Sequence, residues 1–292
     1  MSTRRALTWV TEAYACLARG DVHAAAKAAD RARDADKHDP RVQLVSGHLL
    51  VMCEAYAEGL DHLEAAERNF RRLRLPIPGQ LYCSRAVCHM KRFEHDQADH
   101  WFAHAIAVDD RQPEPFIGRG TNAMDRGDNA TAAHWFAEAA RRFPASMAVR
   151  WGRSMFRLRM GDWPQAWQDY EARLVAPDWL ARWHRKMTAQ LWHGRPIPGE
   201  TLCVFHEQGM GDTIMLSRYL PWVREHSQCG QLLLMVPVEM GSLFTSLLGD
   251  ATVHWIGHTN APDHQWAVPI TSLPFHHQTQ LDTVPPCLAL AA

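Results

Sequence analysis

Two stretches decide the fold: Asp125-Arg-Gly-Asp-Asn-Ala-Thr-Ala-Ala-His-Trp-Phe136 and Arg159-Met-Gly-Asp-Trp-Pro-Gln-Ala-Trp-Gln-Asp-Tyr170. They match at a spacing of 34 residues, with Gly127-Asp128 on Gly161-Asp162, Ala132 on Ala166 and Phe136 on Tyr170. One period upstream, Ala98 and Phe102 continue the series, and Ala105 pairs with Ala139. Pro144 and Pro177 close the last two units. A fixed period of this length is the signature of stacked supersecondary units. Each residue type has a physical role. Glycine ends one helix, because without a Cβ it adopts positive φ at little cost. Asp128 and Asp162 suit the start of the next helix, where a short carboxylate caps free N–H groups. The alanines permit close helix approach, and the aromatic four residues on shares their face.

This pattern resembles the tetratricopeptide repeat, a helix–turn–helix unit that stacks into a solenoid. The resemblance assigns units to 79–112, 113–146 and 147–177, with Phe93 standing where the turn glycine belongs. Gly20-Asp21, Ala25 and Ala32 mark a unit at 6–38. Ala25 and Ala98 lie two periods plus five residues apart, which puts an insertion near Leu75-Pro-Ile-Pro-Gly79 and makes 41–75 the most degenerate unit. About five helix pairs are expected over 6–177. Such units bury their apolar faces only by stacking, and their arrays are usually binding surfaces. The expected partner is therefore a protein or peptide. Trp151 and Met155, beside Arg159, are candidate peptide-contact residues on one helical face, with packing against the neighbouring repeat as the plainer role.

Composition agrees with an ordinary globular chain: 292 residues, 47% hydrophobic and 22% charged, with a net charge of −1. That balance argues against nucleic-acid binding driven by net charge. Residues 200–292 hold two basic residues, Arg218 and Arg224, against eight acidic ones, so an acidic segment follows a mildly basic one. The longest apolar run, Leu232 to Val238, is far short of a spanning helix. Seven scattered cysteines without Cys-x-x-Cys fit a reducing cytoplasm better than a disulfide framework.

Residues 178–199 read as a linker in which tryptophans interleave with Arg182, Arg185 and Lys186. Beyond it, strand-like Thr201–His206, a turn at Glu207–Asp212, a helix over 213–226, a strand at Gln231–Val236, a helix over 239–248 and a strand at Thr252–Ile256 predict a parallel sheet. The fold class is thus α + α/β: a tetratricopeptide α-solenoid, then a three-layer, Rossmann-like parallel-sheet half-domain over 200–292.

Trp192-x-Gly194, His206-Glu-Gln-Gly-Met-Gly-Asp-Thr213, Arg218-Tyr-Leu-Pro221 and Ser272-Leu-Pro274 resemble bacterial proteins that fuse tetratricopeptide repeats to a glycosyltransferase domain of the heptosyltransferase-like, two-lobed (GT-B) kind. The resemblance implies that Asp212 is a general base for an acceptor hydroxyl, and that only the acceptor-side lobe is present. On that expectation the chain does not transfer sugar by itself, holds no cofactor, and meets a nucleotide sugar only if a second lobe is supplied. From the residues alone, Asp212 has an equally physical role as a helix cap. Gly209 and Gly211 could admit a phosphate to backbone N–H groups or simply permit a tight turn. His206, Glu207 and Thr213 complete the candidate substrate-binding set. His100-x-x-x-His104 has metal-compatible spacing without a third ligand, Cys83-x4-Cys88-His89 reads as helix packing, and His276-His277 reads as a surface loop.

Overall fold

A computed structural model describes residues 2–175, 189–248, 252–256 and 263–288. Pro177 and most of the expected linker, including Trp179, Arg182, Trp183, Arg185 and Lys186, lie outside the described residues. The chain divides into two compact units, Met1–Phe156 and Arg157–Ala292.

The first unit is built from antiparallel helix pairs: α1 (Ser2–Ala18) with α2 (Val22–Asp36), α3 (Pro40–Met52) with α4 (Tyr56–Arg72), α5 (Gly79–Lys91) with α6 (His95–Val108), and α7 (Glu114–Asp125) with α8 (Asn129–Arg142). Helix α9 (Met147–Met160) follows. Helices α1, α3, α5 and α7 pack side by side in one layer, and α2, α4 and α6 each bridge their own odd partner and the next. Every turn between pair members is made by one residue of positive φ: Gly20 at +74°, Gly127 and Gly161 at +83°, but Glu54 at +63° and Phe93 at +61° in the two units that lack glycine there. Two aspartates cap as expected, Asp21 accepting from Ala24 N–H at 2.9 Å and Asp128 from Thr131 N–H at 3.0 Å. Asp162 departs from the expectation. It makes no side-chain cap bond, and its carboxylate pairs instead with Arg157 at 3.4 Å.

The periodic aromatic owes its place to small residues on both sides. Phe136 lies against Gly120, sixteen residues before it, and Gly152, sixteen after: a Cβ on either would sit 3.0 and 3.2 Å from the nearest ring carbon. Phe102 sits still closer to Gly118, where a Cβ would come within 2.2 Å. In the degenerate second unit, Leu63 takes the aromatic's place and Gly47 lies sixteen residues before it. Gly59 stands where Ala25 and Ala98 stand in their units, against Gly47 and Val51. The self-match fades there because both partners shrank together.

A second periodic device runs alongside. Arg85 stacks on Trp101 at 3.8 Å and Arg119 on Trp135 at 3.9 Å, both pairs recurring after 34 residues. Each guanidinium also reaches the preceding pair: Arg85 to Glu67 and Glu64 on α4, Arg119 to both oxygens of Asp99 on α6 at 2.7 Å. Arginine's planar fork can stack on an indole and bond a carboxylate at once.

The second unit begins with the end of α9, then α10 (Trp163–Tyr170) and a 3-10 turn at Glu171–Val175. Five strands follow, β1 (Gln190–Leu191), β2 (Thr201–Phe205), β3 (Gln231–Pro237), β4 (Thr252–Ile256) and β5 (Trp266–Pro269), in the order β1-β5-β2-β3-β4 with every neighbouring pair parallel. Side chains alternate between faces, as a pleated strand requires. Leu202, Val204, Leu232, Leu234, Val236 and Val268 pack with Tyr219, Leu220, Val223, Phe244 and Leu273 of the connecting segments. Cys203, Phe205, Leu233, Met235 and Ala267 face the other way, towards Leu174 and Leu191. The expected three-layer sandwich is therefore unequal among the described residues: the connecting helices share one face, and the 3-10 turn at Glu171–Val175 meets the other.

The helix expected over 213–226 is broken into α11 (Met210–Leu216), a 3-10 turn at Ser217–Tyr219 and α12 (Leu220–Ser227). Pro221 has no N–H to continue an α-helical ladder, and Leu220 bonds back three residues to Ser217 instead. Helix α13 (Gly241–Leu248) follows β3, and α14 (Leu273–His276) follows β5.

Candidate functional site

The turn after β2 sits beside the carboxyl end of β5, where open parallel sheets place ligands. His206 is pinned at both ends: its N–H donates to Met235 O at 2.7 Å, and its Nδ1 lies 2.7 Å from the hydroxyl of the fully buried Thr213. Glu207 points into a buried polar cluster. Arg173 donates to its carboxylate through Nε at 3.1 Å and Nη2 at 2.9 Å, and the Thr271 hydroxyl donates to it as well. Arg173 also reaches Glu171 at 2.6 Å and Ser272 at 2.8 Å, while Ser272 donates to Glu171 at 2.9 Å.

The electrostatics follow from burial. Burial pushes the Glu171 carboxyl above its usual range, with Arg173 opposing. Burial disfavours Arg173's charge, but Glu207 and Glu171 outweigh it and raise its pKa. Two carboxylates therefore share one guanidinium, tying the 3-10 turn to the ends of β2 and β5. The sequence reading singled out Glu207 and missed Arg173, Glu171 and Thr271. Residues 98 apart, such as Arg173 and Thr271, leave no local pattern.

In the glycine turn the left-handed backbone position falls on neither glycine. The strained residue is Gln208, at φ +68°, whose amide donates to the Tyr170 hydroxyl at 2.5 Å. Burial pushes Tyr170 up to about 12. Gly211 has open space where a Cβ would be, and Gly209 has an ordinary φ of −87°. Asp212 Oδ2 accepts from the Gly209 N–H at 3.0 Å, which is a cap on the start of α11. Met210, Ile214 and Met215 are exposed along that helix.

On α9, Val149, Ser154 and Phe156 are buried. Trp151 and Met155, one turn apart, are half-buried, and Arg159 is exposed. His100 and His104 flank Trp101 on an exposed face, their rings 6.4 Å apart. Among the described residues, no group of three His, Cys, Asp or Glu is placed to hold a metal. Burial pushes the thiols of Cys83 and Cys88 up to about 12 and about 11, as helix packing requires, and all seven cysteines are unpaired. His276-His277 is not a surface loop. His276 ends α14, lies 5.2 Å from the Trp192 ring, and is held by burial at about 4. No described helix is long and apolar enough to cross a membrane.

The helix pairs and their 34-residue period define a tetratricopeptide-like helical solenoid. Among solved structures, a thermophilic TPR protein from Thermus thermophilus aligns at a TM-score of 0.52 and 15% identity, covering 62% of this chain and 97% of its own. The anaphase-promoting-complex hetero-tetramer Cut9–Hcn1 aligns at 0.50 and 14%, covering 63% of this chain and 37% of that one. PilW, a widely conserved type IV pilus biogenesis factor, aligns at 0.48 and 16%, covering 61% and 82%. At these identities the likeness is one of fold. No protein-family model matches the chain, and no curated protein matches it.

Proposed function

We infer that the chain is a protein- or peptide-binding scaffold acting in the cytoplasm, with its repeats extending over 6–177 and its second lobe, 200–292, a Rossmann-like half-domain. The observation that carries this reading is the surface of α9. Val149, Ser154 and Phe156 are buried on it, and a half-buried tryptophan, a half-buried methionine and an exposed arginine stand at successive turns. Aromatic, Met and Arg side chains are the types enriched at interface cores. A short peptide that places an apolar anchor on Trp151 and Met155 and an acidic group on Arg159 fits this face.

The second lobe is read as a docking element rather than an autonomous transferase. Asp212, the base implied by the family resemblance, has Oδ2 committed to the Gly209 N–H, which favours the cap. Titrating the full chain with labelled peptides of matched length, one acidic–aromatic and one basic–aromatic, tests the proposal by fluorescence anisotropy. The acidic peptide is expected to bind, and Trp151→Ala and Arg159→Glu each to weaken it. Equal affinity for both peptides, or binding untouched by either substitution in a folded protein, overturns it.

A further inference from the structure

We propose that the cavity walled by Trp167, Trp222, Phe275 and His276 in the second unit is a binding site for a neutral saccharide. It is independent of the peptide surface on α9 and of Asp212. The cavity measures about 750 Å³, within the size range of small-molecule sites. Its chemistry is selective in what it omits: no Asp, Glu, Lys or Arg is among its described lining residues, whose only titratable groups are histidines. Burial holds His276 at about 4 and lowers His277, so both are uncharged at neutral pH. His226 spends its Nε2 proton on the Gly194 carbonyl at 2.7 Å. A nucleoside diphosphate or a carboxylate would meet no lysine or arginine among the described lining residues, so little there offsets its desolvation.

A purely apolar guest fits no better. Gln278 and Gln280 border the space and are exposed, so amide donors and acceptors stand at its rim. Amides left facing an apolar guest would lose their hydrogen bonds to water, so the guest that belongs here carries polar groups of its own. A pyranose ring supplies what both alternatives lack. Its C–H face lies on an aromatic ring, and its rim of hydroxyls both donates to and accepts from amides and imidazoles. The walls are set in advance. Trp222 stacks on His226 at 4.8 Å and meets His277 edge-on at 5.0 Å, while Trp192 braces His276. Rings held by packing lose little freedom on binding, which favours affinity.

The test uses the full chain, with tryptophan fluorescence and calorimetry against chitotriose, maltotriose and cellotriose, and against UDP-glucose and a proline-rich decapeptide for comparison. At least one trisaccharide is expected to bind at millimolar concentration or below. Trp167→Leu, which removes the aromatic wall on which the sugar's C–H face would lie, is expected to weaken it about fivefold. Gln280→Ala, at an exposed position, is expected to weaken it without altering the circular dichroism. Absence of binding by all three sugars overturns the proposal. So does binding indifferent to both variants, or a decapeptide or UDP-glucose that occupies the cavity while the sugars do not.

Discussion

The ring of Phe102 fills the space that a side chain on Gly118 would need, with the nearest ring carbon 2.2 Å from the ideal Cβ position. The ring is fully buried and cannot swing into solvent. Replacing Gly118 by Ala gains roughly 1 kcal/mol of helix propensity but overpacks a closed site at a cost of about 1–3 kcal/mol. The steric effect is expected to win, so Gly118→Ala lowers the urea midpoint, whereas a propensity-only effect would raise it.

Phe93 carries a left-handed backbone at φ +61° with 82% of its surface exposed. A side chain in that region costs roughly 1–2 kcal/mol, and glycine escapes it at an entropic cost of about 0.5–1 kcal/mol. Phe93→Gly is expected to stabilise the protein slightly, read as a higher melting temperature in calorimetry.

The two aspartate turns give a matched comparison. Asp128 bonds the Thr131 N–H, while Asp162 caps nothing and pairs with Arg157. Asp128→Ala is expected to lower the melting temperature more than Asp162→Ala. Equal losses in both variants would count against the capping assignment.

Arg173 serves Glu207 and Glu171 from a buried position. Truncating it to Met strips the shared cation and is expected to destabilise the second unit by about 3 kcal/mol, measured by equilibrium unfolding at neutral pH. Because Glu171 is raised by burial, its folded form holds a proton more tightly than its unfolded form. Arg173→Met deepens that effect, so the variant is expected to recover stability as pH falls towards the ordinary glutamate value of 4.5.

His276 titrates in the opposite sense. Its folded pKa of about 4 lies below the ordinary 6.5 because burial disfavours the charged ring. Its contribution is complete above 6.5 and is lost progressively as pH falls to about 4. His276→Gln is expected to flatten the stability-versus-pH curve between those values. An unchanged slope would assign the acid sensitivity elsewhere.

Much of the repeat unit was legible because local chemistry repeats: a glycine turn, an alanine seat and an aromatic on one face recur every 34 residues. The seats of those aromatics were harder to see. Gly118 and Gly152 share that spacing, yet their meaning depends on rings from another helix. The second unit shows the limit more clearly. Thr201–Phe205 and Gln231–Pro237 announce themselves as apolar runs, but β1 has two residues and β5 has four, too few to carry a period. The Arg173 cluster and the His276 cavity join residues far apart in sequence, so no motif marks them.

The five residues inserted before α5 enter outside the lattice of seated side chains. Leu73–Pro76 is exposed chain, closed off by Leu75 N–H bonding back to Phe70 O at 2.9 Å. Leu63 on one side and Phe102 on the other keep their sixteen-residue relations to Gly47 and Gly118 undisturbed. That stretch is a natural splice point. Doubling such an excursion costs only about 0.6 kcal/mol of closure entropy, whereas one residue added inside α5 or α6 would rotate every downstream knob out of its hole.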